Sequence, residues 1–464
     1  MTQIETDYLV VGAGLAGMAF TDALVTHSDA DVVLVDRRHR PGGHWNDAYQ
    51  FVRLHLPSAY YGVNSRPLGN DTIDTTGDNA GLYERASGAE IVEYFQRVMD
   101  EQLLPSGQVR FRPLSDYAQS DSGAHVITSR LTGETCEVTV RRAVVDATYL
   151  ESSVPATHTP SYDVASGVRH VAVNGLVDLT APAASYVLVG AGKTAMDACV
   201  WLLRNGVPAE RIRWIRPREA WMFDRAGLQP LDHNVSTFAG LAAELEALAA
   251  AESVDDLFLR LEAAGRVMRI DESTLPTMFR APSVSRVEIE ELRRVRDVVR
   301  LGRVVRIERE QVVLEEGSIA ADPNALYVDC SARGVRLTEG VPIFEEGRIV
   351  VQQVRLGSPS FNSALLGFIE STDRTTEEKN RLCPPNPYSD VPADWLRMTA
   401  VTQQAARLWL REPDVADWVE GSRLNLIGGL MARAGEPETQ AAFARYLAAV
   451  APAGARLKEL LAPA

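Results

Sequence analysis

Three glycines, an acid and, much farther along, a second glycine pair followed by arginines are the residues whose types and spacing could do chemistry. Gly12, Gly14 and Gly17 spell G-x-G-x-x-G between the apolar run Tyr8–Val11 and the helical periodicity of Leu15 to Leu24. A second β-branched run, Val32–Val35, closes on Asp36. Gly12 permits a tight strand-to-helix turn, Gly14 lets the backbone approach a pyrophosphate, and Gly17 lets the helix pack against the strand. The helix start, with Leu15 and Ala16, offers unpaired N–H groups and a positive dipole end to phosphate. Asp36 can accept hydrogen bonds from both ribose hydroxyls, with Arg37 beside it. The alternative is a purely structural turn, but strand, turn, helix, strand and acid fall here in order. The pattern returns at Tyr186–Val189, Gly190–Ala191–Gly192 and the periodic run Thr194–Asn205, with Ala195 in place of the third glycine. Its second strand, Arg211–Ile215, ends in Arg216–Pro217–Arg218 instead of an acid. An acid holds a free ribose 2′-hydroxyl, whereas arginines accommodate a 2′-phosphate. The first site is therefore read as one for FAD or NAD and the second as one for NADP; a solvated basic edge is the other reading of Arg216 and Arg218. Lys193 could neutralise a phosphate or simply start a helix in solvent.

The elements that must position these residues form an α/β chain with two Rossmann-like dinucleotide-binding domains, a helical insertion and a helical C-terminal tail. Residues 1–180 are expected to form the first part of an FAD domain. Residues 181–325 would be the NADPH domain, with the insertion at about 225–300, and 326–464 the second part of the FAD domain plus the terminal helices. Between the first unit and the second, Ala89–Leu103 reads as an amphipathic helix. Val109–Phe111, His125–Ser129 and Thr135–Val140 read as a small antiparallel sheet, and Arg142–Asp146 as a further buried strand. Val154 to Pro182 reads as a connection. In the insertion, Leu241–Ala251, Leu257–Ala264 and Val287–Val299 carry helical periodicity; Val304–Glu308, Gln311–Leu314 and Ala325–Val328 are read as strands returning to the sheet. Asn362 lies in the segment leading into the apolar helix Ala364–Ile369, next to the nucleotide sites, and is read as a cofactor neighbour. Trp395–Leu410 and Leu424–Leu460 read as terminal helices.

With 464 residues the chain is too long for one core. A net charge of −15 argues against nucleic acid or an anionic membrane as the main partner. No apolar run approaches the roughly 20 residues that span a bilayer, and no basic-then-apolar leader precedes the first strand. Cys136, Cys199, Cys330 and Cys383 are far apart with no C-x-x-C, which suggests a reducing cytoplasm and no disulfide framework, metal site or redox dithiol.

The local details resemble the class B flavin-dependent monooxygenases: flavin-containing monooxygenases, Baeyer–Villiger enzymes and N-hydroxylases. Gly42–Gly43–His44–Trp45 is similar to the family's G-G-x-W, and Arg53–Leu54–His55–Leu56–Pro57 to its R-L-x-L-H-x-P, though shorter. Gly190 to Asp197 is similar to G-x-G-N-S-G-M-E, with Lys193 and Thr194 where Asn and Ser are usual. Asp146–Ala147–Thr148 and Asp329–Cys330–Ser331 stand where the family's A-T-G-type links contact the cofactors, and Asn64 stands roughly where it places an active-site Asn. The linker signature F-x-G-x-x-x-H-x-x-x-[YW] is absent, so the chain diverges from the family's main branches. The resemblance implies FAD and NADPH as cofactors, O2 and a small molecule as substrates, and a flavin C4a-(hydro)peroxide as oxidant. It implies Asn64 as the catalytic residue. Cofactor contacts follow from Gly43, His44, Trp45, His55, Thr148, Thr194 and Asp329, and from the glycines and arginines above. Two other readings stay open: a reductase or dehydrogenase feeding a quinone or other acceptor, and a non-catalytic flavin-binding redox sensor.

Overall fold

The computed structural model describes residues 2–462. Two sheets, the first mixed with a parallel centre and the second parallel, carry the two glycine loops. In the first sheet the strands run in the order Phe344–Glu345, Arg348–Val350, Thr135–Asp146, Thr2–Val11, Val32–Val35, Val109–Arg112. The central strand pairs in parallel on both sides, Val11 facing Val35 on one flank and Asp146 on the other. In the second sheet the order is Asp297–Val299, Ile212–Ile215, Ser185–Val189, Ala325–Asp329, His170–Ala172, parallel throughout. Val189 faces Ile215 and Asp329, so both ligand-bearing strand ends lie at one edge. Ligands bind at such carboxyl edges, where the strand order reverses. All four residues of Val32–Val35 are buried, as a strand covered on both faces requires.

Several elements differ from the sequence reading. Val109–Arg112 joins the first sheet in parallel with Val32–Val35, whereas Ser115–Gln119 and His125–Ser129 make the antiparallel ribbon. Thr135–Asp146 is one strand, not two. The amphipathic helix is Gly88–Val98, closed by a π turn over Met99–Leu103. The connecting stretch contributes an edge strand, His170–Ala172, to the second sheet. Val287–Val299 is not one helix: Arg286–Leu292 is helical under a capping box from Ser285 and Glu288, and Asp297–Val299 pairs with Ile212–Ile215. Val304–Ile307 and Gln311–Leu314 form a separate sheet with Gly317–Ala320 and Asp163–Val164 instead of rejoining the nucleotide sheet.

The insertion holds the helices Asn234–Ala250 and Val254–Ala263 and a small sheet of Met222–Asp224, Val267–Met268 and Ser283–Val284. Its apolar face meets the C-terminal helix Pro437–Leu461, where Phe238 packs on Phe443 and Tyr446. The helix expected over Leu424–Leu460 therefore begins only at Pro437, after a stretch punctuated by Gly428, Gly429 and Gly435. A third region, Pro359–Glu370 and Pro392–Trp409, closes over the first sheet.

Candidate active site

At the first loop Gly12 has φ 103° and any Cβ there would meet Thr148 at 2.9 Å. A Cβ on Gly17 would stand 1.9 Å from the Gly12 carbonyl, so Gly17 seats the helix Leu15–Thr26 on the loop and does not face the ligand space. Gly43 abuts Gly14: its Cβ would lie 2.9 Å from the Gly14 Cα. Asp36 is buried, and its carboxylate accepts the Ala13 N–H at 2.6 Å and the Arg38 N–H at 2.7 Å. These bonds aim an acid with lone pairs to spare at the cavity. Arg37 also reaches the cavity and pairs with Glu151. Thr148 is fixed by Asp146, which accepts both its N–H (2.9 Å) and its hydroxyl (2.8 Å).

The second loop repeats the device. Gly190 has φ 138° and its Cβ would lie 2.5 Å from the Cys330 carbonyl. Around Gly192 nothing lies within 4 Å of a Cβ position, so the start of the helix Lys193–Arg204 opens onto free space. Ala195 is fully buried beneath the loop and supports it. Asp329 is buried too and accepts the Ser331 N–H (3.0 Å) and hydroxyl (2.6 Å), so it positions Ser331 rather than facing a cofactor. Both loops open into one cavity of about 1160 Å³. Two helix N-termini, a buried ribose-type acid and bare glycine backbone on its walls fit two dinucleotides.

Between the loops the cavity is walled by Gly43, His44, Trp45, His55, Thr194 and Asn362. Trp45 donates its indole N–H to Tyr61 at 2.6 Å. Asn362 is held by the Arg355 backbone, accepting its N–H and donating to its carbonyl, both at 2.8 Å. Burial lowers His44 to about 4, helped by Arg38 against Asp47. Burial lowers His55 to about 3, helped by Lys193 and Arg225 against Glu288. Both imidazoles are therefore neutral at pH 7. Burial, then Asp329, push the Cys330 thiol well up, so it stays protonated.

Besides Gly17, Ala195 and Asp329, two expected residues lie off the cavity and a third lines it in another role. Asn64 does not line the cavity; its side chain accepts the Ser422 hydroxyl at 2.8 Å and its N–H donates to Asp22. Arg216 is 2% exposed, pairs with Glu219 at 2.7 Å and lies over Trp214, 4.7 Å from the ring centre, so it points into the second unit. Lys193 reaches the cavity wall, but its ammonium is held by Asp197 and, at 3.4 Å, by Glu288, and neither a free phosphate ligand nor a solvated side chain describes it. Arg218 does line the cavity. Sequence reasoning missed Tyr49, whose hydroxyl donates to Asp197 at 2.7 Å across the two units, and the Arg225–Glu288 pair beside it. It also missed Met278, Phe279, Tyr388, Trp395 and Met398, which line the cavity, Met278 beside Arg218 and Phe279 beside Asp390. The i, i+4 spacing of Lys193 and Asp197 was the one local signal for that network.

Residues 10–61 match the family model described as an NAD(P)-binding Rossmann-like domain. Two mycobacterial relatives, Uncharacterized protein Rv2000 of Mycobacterium tuberculosis (strain ATCC 25618 / H37Rv) and Uncharacterized protein Mb2023 of Mycobacterium bovis, are each 48% identical over 429 residues, covering 92% of this chain and 79% of the relative. The chain belongs to their family. Among solved structures, the fold is similar to an open cyclohexanone monooxygenase, with TM-score 0.51 and 13% identity over 89% of this chain and 98% of that one. It is equally similar to the NADP+-bound cyclohexanone monooxygenase of Rhodococcus sp. Phi1, with TM-score 0.51 and 14% identity over 94% of this chain and 99% of that one. The fold is thus similar to that of cyclohexanone monooxygenase. Among the described residues no helix is long and apolar enough to cross a membrane.

Proposed function

We propose that this chain is an FAD-dependent monooxygenase that uses NADPH and O2 to oxygenate a small molecule, with residues 1–180 and 326–464 holding FAD and 181–325 holding NADPH. The observation that carries the reading is the single cavity into which both dinucleotide loops open. A flavin held there would supply the redox chemistry, in which two electrons from NADPH and one O2 give an oxygenated substrate and water. The chain's residues bind, orient and exclude water. The two helix starts at Leu15 and Lys193 take the diphosphates, and Asp36 takes the FAD ribose. Neutral His44 and His55 border the flavin side without adding charge, and Arg218 meets the 2′-phosphate of NADPH.

The test is stopped-flow absorbance. Holoenzyme reduced anaerobically by NADPH is mixed with aerated buffer. A transient spectrum, distinct from both oxidised and reduced flavin and preceding reoxidation, is expected. A single-phase return to oxidised flavin, with or without candidate amines, thioethers and ketones, would instead favour a reductase. A purified chain that takes up no flavin would end the reading altogether.

A further inference from the structure

Arg355, in the loop before the helix Pro359–Glu370, is a half-buried cation without a counter-charge. Arg85, Arg216, Arg225 and Arg266 are buried, and each pairs with a carboxylate. Arg355 has neutral partners: its Nε donates to the Ser358 hydroxyl at 3.3 Å and its Nη1 to Asn425 Oδ1 at 2.9 Å. Its guanidinium carbon lies over the Phe361 ring, 3.7 Å from the ring centre. The Nη2 atom is buried and has no partner among the described residues. Burial lowers Arg355 to about 9, opposed by Tyr60 alone, so it is still a cation at pH 7. Ser358 lines the cavity, as do Pro57, Tyr60, Leu424 and Leu426. The Tyr60 hydroxyl donates to the Leu426 carbonyl at 3.0 Å and closes this corner.

A buried guanidinium without a counter-charge bears the cost of desolvation and recovers little of it. The Phe361 ring and Asn425 fix the plane of the fork. Its Nε–Nη2 edge, which can give a carboxylate two parallel bonds, carries just the long contact to Ser358. We propose that Arg355 anchors a carboxylate of the substrate: the acid enters beside Ser358, takes the Nε–Nη2 edge, and the apolar remainder lies against Pro57, Tyr60, Leu424 and Leu426. The substrate class is then a small carboxylic acid with an apolar body. The proposal rests on the oxygenase reading of this cavity. Asn362, which the Arg355 backbone holds from both sides, lines the same cavity, so an acid anchored here lies beside the flavin side. An alcohol or an amine of the same shape cannot replace it, since neither brings the missing negative charge.

The experiment titrates FAD-loaded enzyme by calorimetry with octanoate, octanol and octylamine, and with phenylacetate and phenylethanol. In the wild type, which needs no variant to be informative, at least one acid should bind about tenfold or more tightly than its alcohol, with octylamine weakest. Arg355→Met should bring that acid down to the affinity of its alcohol, and Arg355→Lys should keep part of the preference. Should Arg355→Met fail to fold, the wild-type comparison and Arg355→Lys decide. Acids that bind the wild type no more tightly than their alcohols overturn the proposal, and so does a preference that Arg355→Met leaves intact. Equal binding of acid and alcohol together with loss of FAD from Arg355→Met would assign the charge to the flavin and likewise overturn it. The oxygenase reading is judged apart from this, by the transient spectrum. An Arg355-dependent preference for acids in an enzyme that reoxidises in a single phase would uphold the acid site and reject the oxygenase.

Discussion

His44 and His55 show how a cavity wall sets the charge of a single residue. Their folded values of about 4 and about 3 lie below the ordinary imidazole value of about 6.5 that the unfolded chain would show. Below that value the unfolded chain binds protons that the folded chain refuses, so stability is full above about pH 6.5 and falls as the pH drops toward 4. A His44→Gln, His55→Gln variant should show a shallower decline of thermal midpoint between pH 6.5 and 4 than the wild type; identical slopes would refute the assignment. At this scale the glycines and Asp36 were legible, because their roles follow from backbone geometry within a few residues. The arginines were only half legible. Arg216 and Arg218 are two positions apart, and what separates them is Glu219 with Arg300 on one side and Asp390 on the other. Two of those three acid and base partners arrive from distant segments, and no local pattern announces them. Asn64 was placed by resemblance alone, and Asp22 and Ser422 hold it away from the cavity.

Among the elements, the helix Pro359–Glu370 and the first nucleotide helix Leu15–Thr26 cross in close contact. A Cβ on Gly367 would lie 2.3 Å from the Phe20 carbonyl and 3.1 Å from the Ala23 Cβ, so backbone meets backbone at this crossing. Gly367→Ala should separate the helices at an overpacking cost of about 1–3 kcal/mol in urea denaturation. It should also weaken FAD binding, since Asn362 rides on the same helix beside the cavity. A variant with wild-type stability would show that the crossing tolerates a methyl group. Periodicity located most helices and the inner strands of the two nucleotide sheets, because burial imposes a period on the sequence. It failed where another element decides the outcome. Arg293 to Val299 has no intrinsic reason to leave a helix; the open edge of Ile212–Ile215 recruits its end as a strand. His170–Ala172 is likewise a strand only because Ala325–Asp329 offers it an edge.

Across the whole molecule, the two nucleotide units are joined by a buried ionic clamp. Arg225 is fully buried; it donates to Glu288 at 2.5 Å and to the His55 carbonyl at 2.8 Å, and Ser283 donates to the same carbonyl at 2.6 Å. Glu288 also faces Lys193, which shares Asp197 with Tyr49 of the first unit. Burial opposes ionisation of Glu288, but Lys193, Arg225 and Arg85 outweigh it and hold its carboxyl far below the usual range. A buried pair of this kind costs much desolvation, so its value lies in what breaking it would expose. Glu288→Gln would leave Arg225 buried with carbonyls and amides but no counter-charge, at a cost of about 3–5 kcal/mol in the urea transition. Replacing both partners, as Arg225→Met with Glu288→Leu, removes the stranded charge together with its partner and should cost less than the single change. A double variant less stable than Glu288→Gln would mean that the clamp contributes attraction beyond its own desolvation. The opposite order would mean that its work is registration: it fixes how the second glycine loop faces the first, and hence where the nicotinamide of a bound NADPH meets the flavin. The second outcome is the one the geometry favours, because the clamp's hydrogen bonds end on the backbone of His55, the segment that walls the flavin side of the cavity.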